Sequence, residues 1–181
     1  MRLFLLTALF VATAGCSSLL HASELKPFTT DGCSLWIDGT PEQPNLWRHC
    51  CVAHDLAYWL GGSKADRKKA DEDILACVKQ AQGPGMAKYI YTNVRWGGSP
   101  YWMNHYRWGY GWDYLDGVWP RGYKVPTAQE QVLIDQAMPA ALALIAADAL
   151  EHSTDNLPKH NTDNVPKHNT DNPPQDAKSS D

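Results

Sequence analysis

Residues 47–58, WRHCCVAHDLAY, bring two cysteines, a histidine and a carboxylate into one potential helix. On such a helix Cys50 and His54 stand one turn apart, as do Cys51 and Asp55. A neutral imidazole can take a proton from water at about pH 7 to 8, and a carboxylate on its other nitrogen fixes the tautomer and steadies the imidazolium. Few purely structural helices need that set of residues. No serine lies in a GxSxG pattern, so a nucleophile elbow is not expected.

The elements that must position this set follow from capping and breaker signals. A first helix is expected from about residue 45 to Leu60, stopped by Gly61 and Gly62. Ser63 then caps a second helix, with Asp66 completing a capping box, and this helix should run to about Gln82 before Gly83, Pro84 and Gly85 break it. Ile74, Leu75 and Val78 form its apolar face, which extends back by helical spacing to Asp71. A carboxylate on a buried face needs a partner. Two antiparallel helices joined by a glycine turn would bring Asp71 towards His54; a rim position paired with a basic residue of the neighbouring turn is the plainer alternative. Ahead of both helices, residues 31–44 (DGCSLWIDGTPEQP) read as an irregular loop. Such a loop either aims carbonyl oxygens at a hard cation or is simply a surface loop pinned by Cys33.

Length and charge set the context. With 181 residues, 44% of them hydrophobic, and a net charge of -4, one compact domain with tails is expected. Lys64, Arg67, Lys68 and Lys69 are interleaved with Asp66, Asp71, Glu72 and Asp73, which reads as a solvated face and not as a nucleic-acid site. Residues 1–22 begin with one arginine and a short apolar run, the pattern of an export signal. Thr13, Ala14, Gly15 and Cys16 resemble a bacterial lipoprotein box with lipidation at Cys16, while ordinary cleavage after Ala14 or Ala22 is the competing reading. An exported protein is therefore expected, either an outer-membrane lipoprotein or a periplasmic or secreted one. Setting Cys16 aside leaves Cys33, Cys50, Cys51 and Cys77, an even set that points to two disulfides. Of the three connectivities, only a bond between vicinal Cys50 and Cys51 is disfavoured by geometry.

The run CCxxHDxxY at Cys50 to Tyr58, followed by a second helix carrying Asp71 six residues before Cys77, resembles the secreted phospholipases A2. The resemblance covers roughly residues 31–80. It implies a mainly α fold: a disulfide-linked antiparallel helix pair with a calcium-binding loop, to which this chain adds an irregular aromatic-rich lobe and a C-terminal helix. It implies Cys33–Cys51 and Cys50–Cys77 disulfides. It puts His54 at the general base, Asp71 at the residue that holds the histidine, and Tyr58 at a tyrosine bonded to that aspartate. Asp55 falls on the Ca2+-binding carboxylate, with carbonyls around Gly32, Ser34 and Trp36 as further ligands and Asp38 as an extra side-chain ligand. The activity implied is calcium-dependent hydrolysis of the sn-2 ester of glycerophospholipids at a membrane surface. Three departures mark a divergent bacterial member: a loop poorer in glycine, no counterpart of the helix that normally precedes it, and few cysteines.

Beyond that region, residues 95–125 hold ten aromatic side chains, and Tyr106, Trp108, Tyr110, Trp112 and Tyr114 alternate. Period two would put these five on one face of an extended segment, although the intervening glycines favour an irregular lobe. The lobe either supplies the missing walls of a substrate channel, with Trp and Tyr at a membrane interface, or fills the core. Thr127 and Glu130 open a further helix to about Leu150, which Pro139 should kink or split. Val132, Leu133, Ala140, Ala141, Leu144 and Ile145 form its apolar face, expected to pack on the core. The domain is thus expected over residues 23–150, and residues 151–181, a polar octapeptide repeat rich in proline, as a disordered tail. Two other functions stay open: a non-catalytic lipoprotein that binds lipid or glycan, and a zinc site from His49, Cys50, Cys51 and His54.

Overall fold

The computed structural model describes residues 24–153; the expected signal, Cys16 and the repeat tail lie outside the described residues. Four helices, α1 (Arg48–Leu60), α2 (Lys64–Gln82), α3 (Pro84–Gly97) and α4 (Ala128–Ser153), are joined by irregular segments and one small hairpin, β1 (Leu115–Asp116) with β2 (Trp119–Pro120). In the hairpin, Leu115 pairs with Pro120 and Asp116 with Trp119, antiparallel. The protein is mainly helical and carries two disulfides, Cys33–Cys51 and Cys50–Cys77, the pairs implied by the resemblance.

α1 is central because it packs on two sides. One face, with Cys50, Cys51 and the preceding Trp47, packs on Ile74 and Val78 of α2 and on Ala87 and Ile90 of α3. Another face offers Trp59, fully buried against Phe28 of the N-terminal arm and Ala141 of α4. Burial of the Trp59 indole is worth about 4–6 kcal/mol at roughly 25 cal/mol per Å2. Its N–H is not wasted, since Nε1 donates to the Lys26 carbonyl at 2.7 Å. The arm itself runs without helix, as its length allows, and is held by the Lys26 N–H on the Gly111 carbonyl.

α2 starts with the reciprocal box of Ser63 and Asp66 and ends at Gly83. The break expected at residues 83–85 lasts a single residue. Gly83 caps α3 and Pro84 takes its first position, where the missing N–H costs nothing because no intrahelical partner exists there. α3 therefore includes Arg95 and Trp96, which the sequence reading assigned to the aromatic lobe.

The five alternating aromatics do not share one face. Turns at residues 106–113 replace an extended segment: Trp108 and Trp112 are buried, while Tyr106, Tyr110 and Tyr114 are half-buried. Arg107 drives this arrangement from inside, donating to the carbonyls of Trp108, Gly109 and Trp112.

α4 is one unbroken helix. Pro139 is exposed, so the Asp135 carbonyl that it cannot bond is open to water, and the helix continues. Its packed side is Ile134, Ala137, Met138, Ala141 and Ile145. Val132 and Leu144, expected in the core, are exposed, because α4 meets the body along one narrow strip.

Candidate active site

The imidazole of His54 sits on the face of α1 that looks towards α2. Its Nε2 donates to Asp71 Oδ1 at 2.9 Å, with both side chains buried. Tyr58, one turn along α1, donates its hydroxyl to the same oxygen at 2.7 Å. Burial alone would raise the Asp71 pKa, but the hydrogen bonds from His54, Tyr58 and Arg95 outweigh it and hold the carboxyl below the usual range. Asp71 is thus a fixed anion. Burial and the adjacent Asp71 push Tyr58 well above its ordinary value, so it remains a hydroxyl donor. With Nε2 protonated and held, the Nδ1 lone pair is the one left to act on a water.

Two arginines that the sequence reading left out of the site complete it. Arg95 Nη1 donates to Asp71 Oδ2 at 2.5 Å. Arg67, read as part of a solvated face, is buried: Nε donates to Tyr58 Oη at 3.0 Å, Nη1 to Tyr123 Oη at 2.9 Å, and Nη2 to the carbonyls of Val94 and Arg95. Those carbonyls close the last turn of α3, where a cation is favoured. The signal was present in the sequence, as Arg67 stands four residues before Asp71 on the same face of α2. Gly98 lets the end of α3 close onto this network, since a Cβ there would lie 2.4 Å from the Tyr58 ring.

His54 opens onto a cavity of about 230 Å3. Its walls come from loop residues 32–36, from Ile74 and from Tyr89, Ile90 and Asn93 of α3, and the stretch 95–125 expected to supply walls contributes Trp96, Gly97, Gly98 and Tyr106. The mouth is apolar: Trp36 lies tilted against Tyr89 with ring centroids 4.6 Å apart, and Leu35 and Trp96 line it as exposed side chains, while Ile37, Trp102 and Met103 are exposed on the loop and on the segment after α3.

Asp55 lines the same cavity. Its Oδ2 accepts from Thr30 Oγ1 at 2.6 Å, and among the described residues no lysine, arginine or histidine forms an ion pair with it. Burial pushes its pKa up to about 7, against the lowering effect of the Thr30 hydrogen bond. The adjoining loop divides its oxygens. The carbonyls of Asp31, Cys33, Ile37 and Asp38 accept hydrogen bonds; those of Gly32, Ser34 and Trp36 accept none among the described residues. Carboxylate and carbonyl oxygens such as these are the hard donor type that calcium and magnesium take as ligands. Asp38 is otherwise engaged, accepting from the Cys33 N–H and pairing with Arg48, and the Ser34 hydroxyl donates to Asp31. The thiolates needed for zinc are not available, because Cys50 and Cys51 are both in disulfides, although His49 Nε2 lies 3.5 Å from the sulfurs of Cys50 and Cys77. Compared with known protein families, curated proteins and solved structures, the chain gives no match.

Proposed function

We propose that this is an exported, calcium-dependent hydrolase of the phospholipase A2 type, which cuts the sn-2 ester of glycerophospholipids at a membrane surface. One observation carries the reading: the buried His54–Asp71–Tyr58 array leaves one imidazole nitrogen for a cavity that also contains the unpaired carboxylate of Asp55. The α1–α2 pair with its two disulfides and the loop of residues 31–38 support it, being the parts that such an enzyme uses.

In the reaction, a water bound at Nδ1 of His54 loses its proton to the imidazole as its oxygen adds to the ester carbonyl. Asp71 keeps the ring in the required tautomer and stabilises the imidazolium, and Tyr58 and Arg95 keep Asp71 ionised. The imidazolium then returns the proton to the departing glycerol oxygen, releasing fatty acid and lysophospholipid. Asp55 and the carbonyls of Gly32, Ser34 and Trp36 would hold a calcium ion, which when bound would supply Lewis-acid polarisation of the ester and a counter-charge for the phosphate. The apolar mouth admits an acyl chain, and its exposed Trp36, Tyr89 and Trp96 suit the headgroup region of a bilayer.

That exposed rim also favours one other reading, a lipoprotein that binds lipid or glycan without turnover. Vesicles labelled separately at the sn-1 and sn-2 acyl chains distinguish the two. Release of the sn-2 label alone is expected; vesicle binding without release of either label would establish the binding protein instead.

A further inference from the structure

Arg48 opens α1, yet its guanidinium is turned beneath the loop of residues 31–38. Nη1 donates to the Asp31 carbonyl at 3.1 Å and pairs with Asp38 Oδ2 at 2.6 Å. The other edge of the fork grips Asp148 of α4, with Nη2 at 2.6 Å and Nε at 3.1 Å from Oδ1. The three side chains are only 12%, 17% and 13% exposed, so this is no surface pair. Asp38 passes the contact on, since its Oδ1 accepts from the Cys33 N–H at 2.6 Å. Gly32 marks the tightness of the fit: its φ is +80°, and a Cβ there would lie 2.3 Å from Arg48 Nη1 and 2.5 Å from Asp38 Oδ1.

The loop thus has a resident cation of its own. The Cys33–Cys51 disulfide and the bonds from Trp47 tie parts of this loop to α1, and Arg48 adds bonds to Asp31 and Asp38 from the rigid start of α1 while Asp148 holds Arg48 from the other side. Arg48 and Asp38 also act electrostatically on Asp55 across the loop. α4 is joined to the body by the buried Glu130–Arg121 pair at its start, by a narrow apolar strip and by this ion pair near its C-terminal end, so a shift of that end moves Asp148 against Arg48 directly.

We propose that Arg48 is a positioning residue for the loop, and that Asp148 couples helix α4 to it, so that the seating of α4 sets the affinity of the cation site made by the loop and Asp55. The coupling rests on the calcium reading above. It gives α4 a regulatory role: whatever holds α4 against α1 strengthens calcium binding, and whatever lifts it weakens it.

The test is calcium affinity by titration calorimetry, with unfolding in chelator measured in parallel. Asp148→Asn is expected to weaken calcium binding about tenfold while kcat at saturating calcium stays within about twofold. Arg48→Lys, which keeps the charge and loses the fork, should weaken it similarly. Glu151→Gln removes an equal charge from the exposed side of the same helix and should leave affinity unchanged. Asp148→Glu retains a carboxylate in case Asp148→Asn does not fold, and an intermediate affinity is expected for it. Lower stability of these variants in chelator with wild-type calcium affinity would overturn the coupling and leave the proposed function standing. If the wild type itself binds no calcium, the functional reading fails and the coupling with it.

Discussion

Asp55→Asn separates a buried carboxylate that waits for a cation from one that merely stabilises the fold. The wild-type carboxyl titrates at about 7 when folded, against 3.8 for the ordinary value, because burial penalises its charge. Folding therefore favours the protonated form. That contribution is complete below pH 3.8 and is lost as pH rises through 7, a penalty of about 4 kcal/mol at pH 8 from the cited shift. Asparagine keeps the shape and carries no charge at any pH. In chelator, Asp55→Asn should match the wild type near pH 4 and exceed it in stability by up to about 4 kcal/mol at pH 8. Asp71 titrates in both proteins and cancels from the difference. Adding calcium at pH 8 should reverse the order, stabilising the wild type by RT ln(1 + [Ca]/Kd) and the variant hardly at all. Urea unfolding from pH 4 to 9, with and without calcium, gives the four curves. A variant less stable than wild type at pH 8 in chelator, or stabilised equally by calcium, would refute the reasoning.

Asp71→Asn should lower kcat by a factor of about 10^2 to 10^4, since the imidazole loses the anion that fixes its tautomer. It should also destabilise the fold by about 3–5 kcal/mol, because Arg67 and Arg95 stay behind without their carboxylate; kinetics and chemical denaturation check the two parts. Trp36→Ala removes the contact with Tyr89 and should weaken binding to vesicles in a sedimentation assay while sparing hydrolysis of a soluble short-chain ester. Replacing Cys50 and Cys77 together by alanine removes a bridge spanning 27 residues and should cost about 3.5 kcal/mol in urea unfolding.

What could be read from the sequence was local. The capping boxes of Ser63 with Asp66 and of Thr127 with Glu130 are chemical signals a few residues long, and both form. The face shared by Asp71, Ile74 and Val78 follows from helical period alone, and all three are buried. The failures needed tertiary information. Gly83, Pro84 and Gly85 contain both a stop and a start, and only the packing of Ala87 and Ile90 on the first core decides that a helix begins at once. Arg67 looks like its neighbours Lys68 and Lys69, which do form exposed pairs with Glu72 and Asp73; its burial depends on the α3 carbonyls that meet it. The alternating aromatics give the period of a strand, but Arg107 collects the local carbonyls and bends the segment. The Asp148–Arg48–Asp38 chain spans the whole described fold, and no spacing in the sequence announces it.

The most direct measurement is fatty-acid release from phospholipid vesicles by the wild type and by His54→Ala, each with calcium and with chelator. Release by the wild type in calcium alone, with losses of at least about 10^2 on removing either His54 or the ion, is the predicted result. Undiminished release by His54→Ala, or equal inertness of two folded proteins on several lipids, would contradict the claim that His54 activates water beside a bound cation.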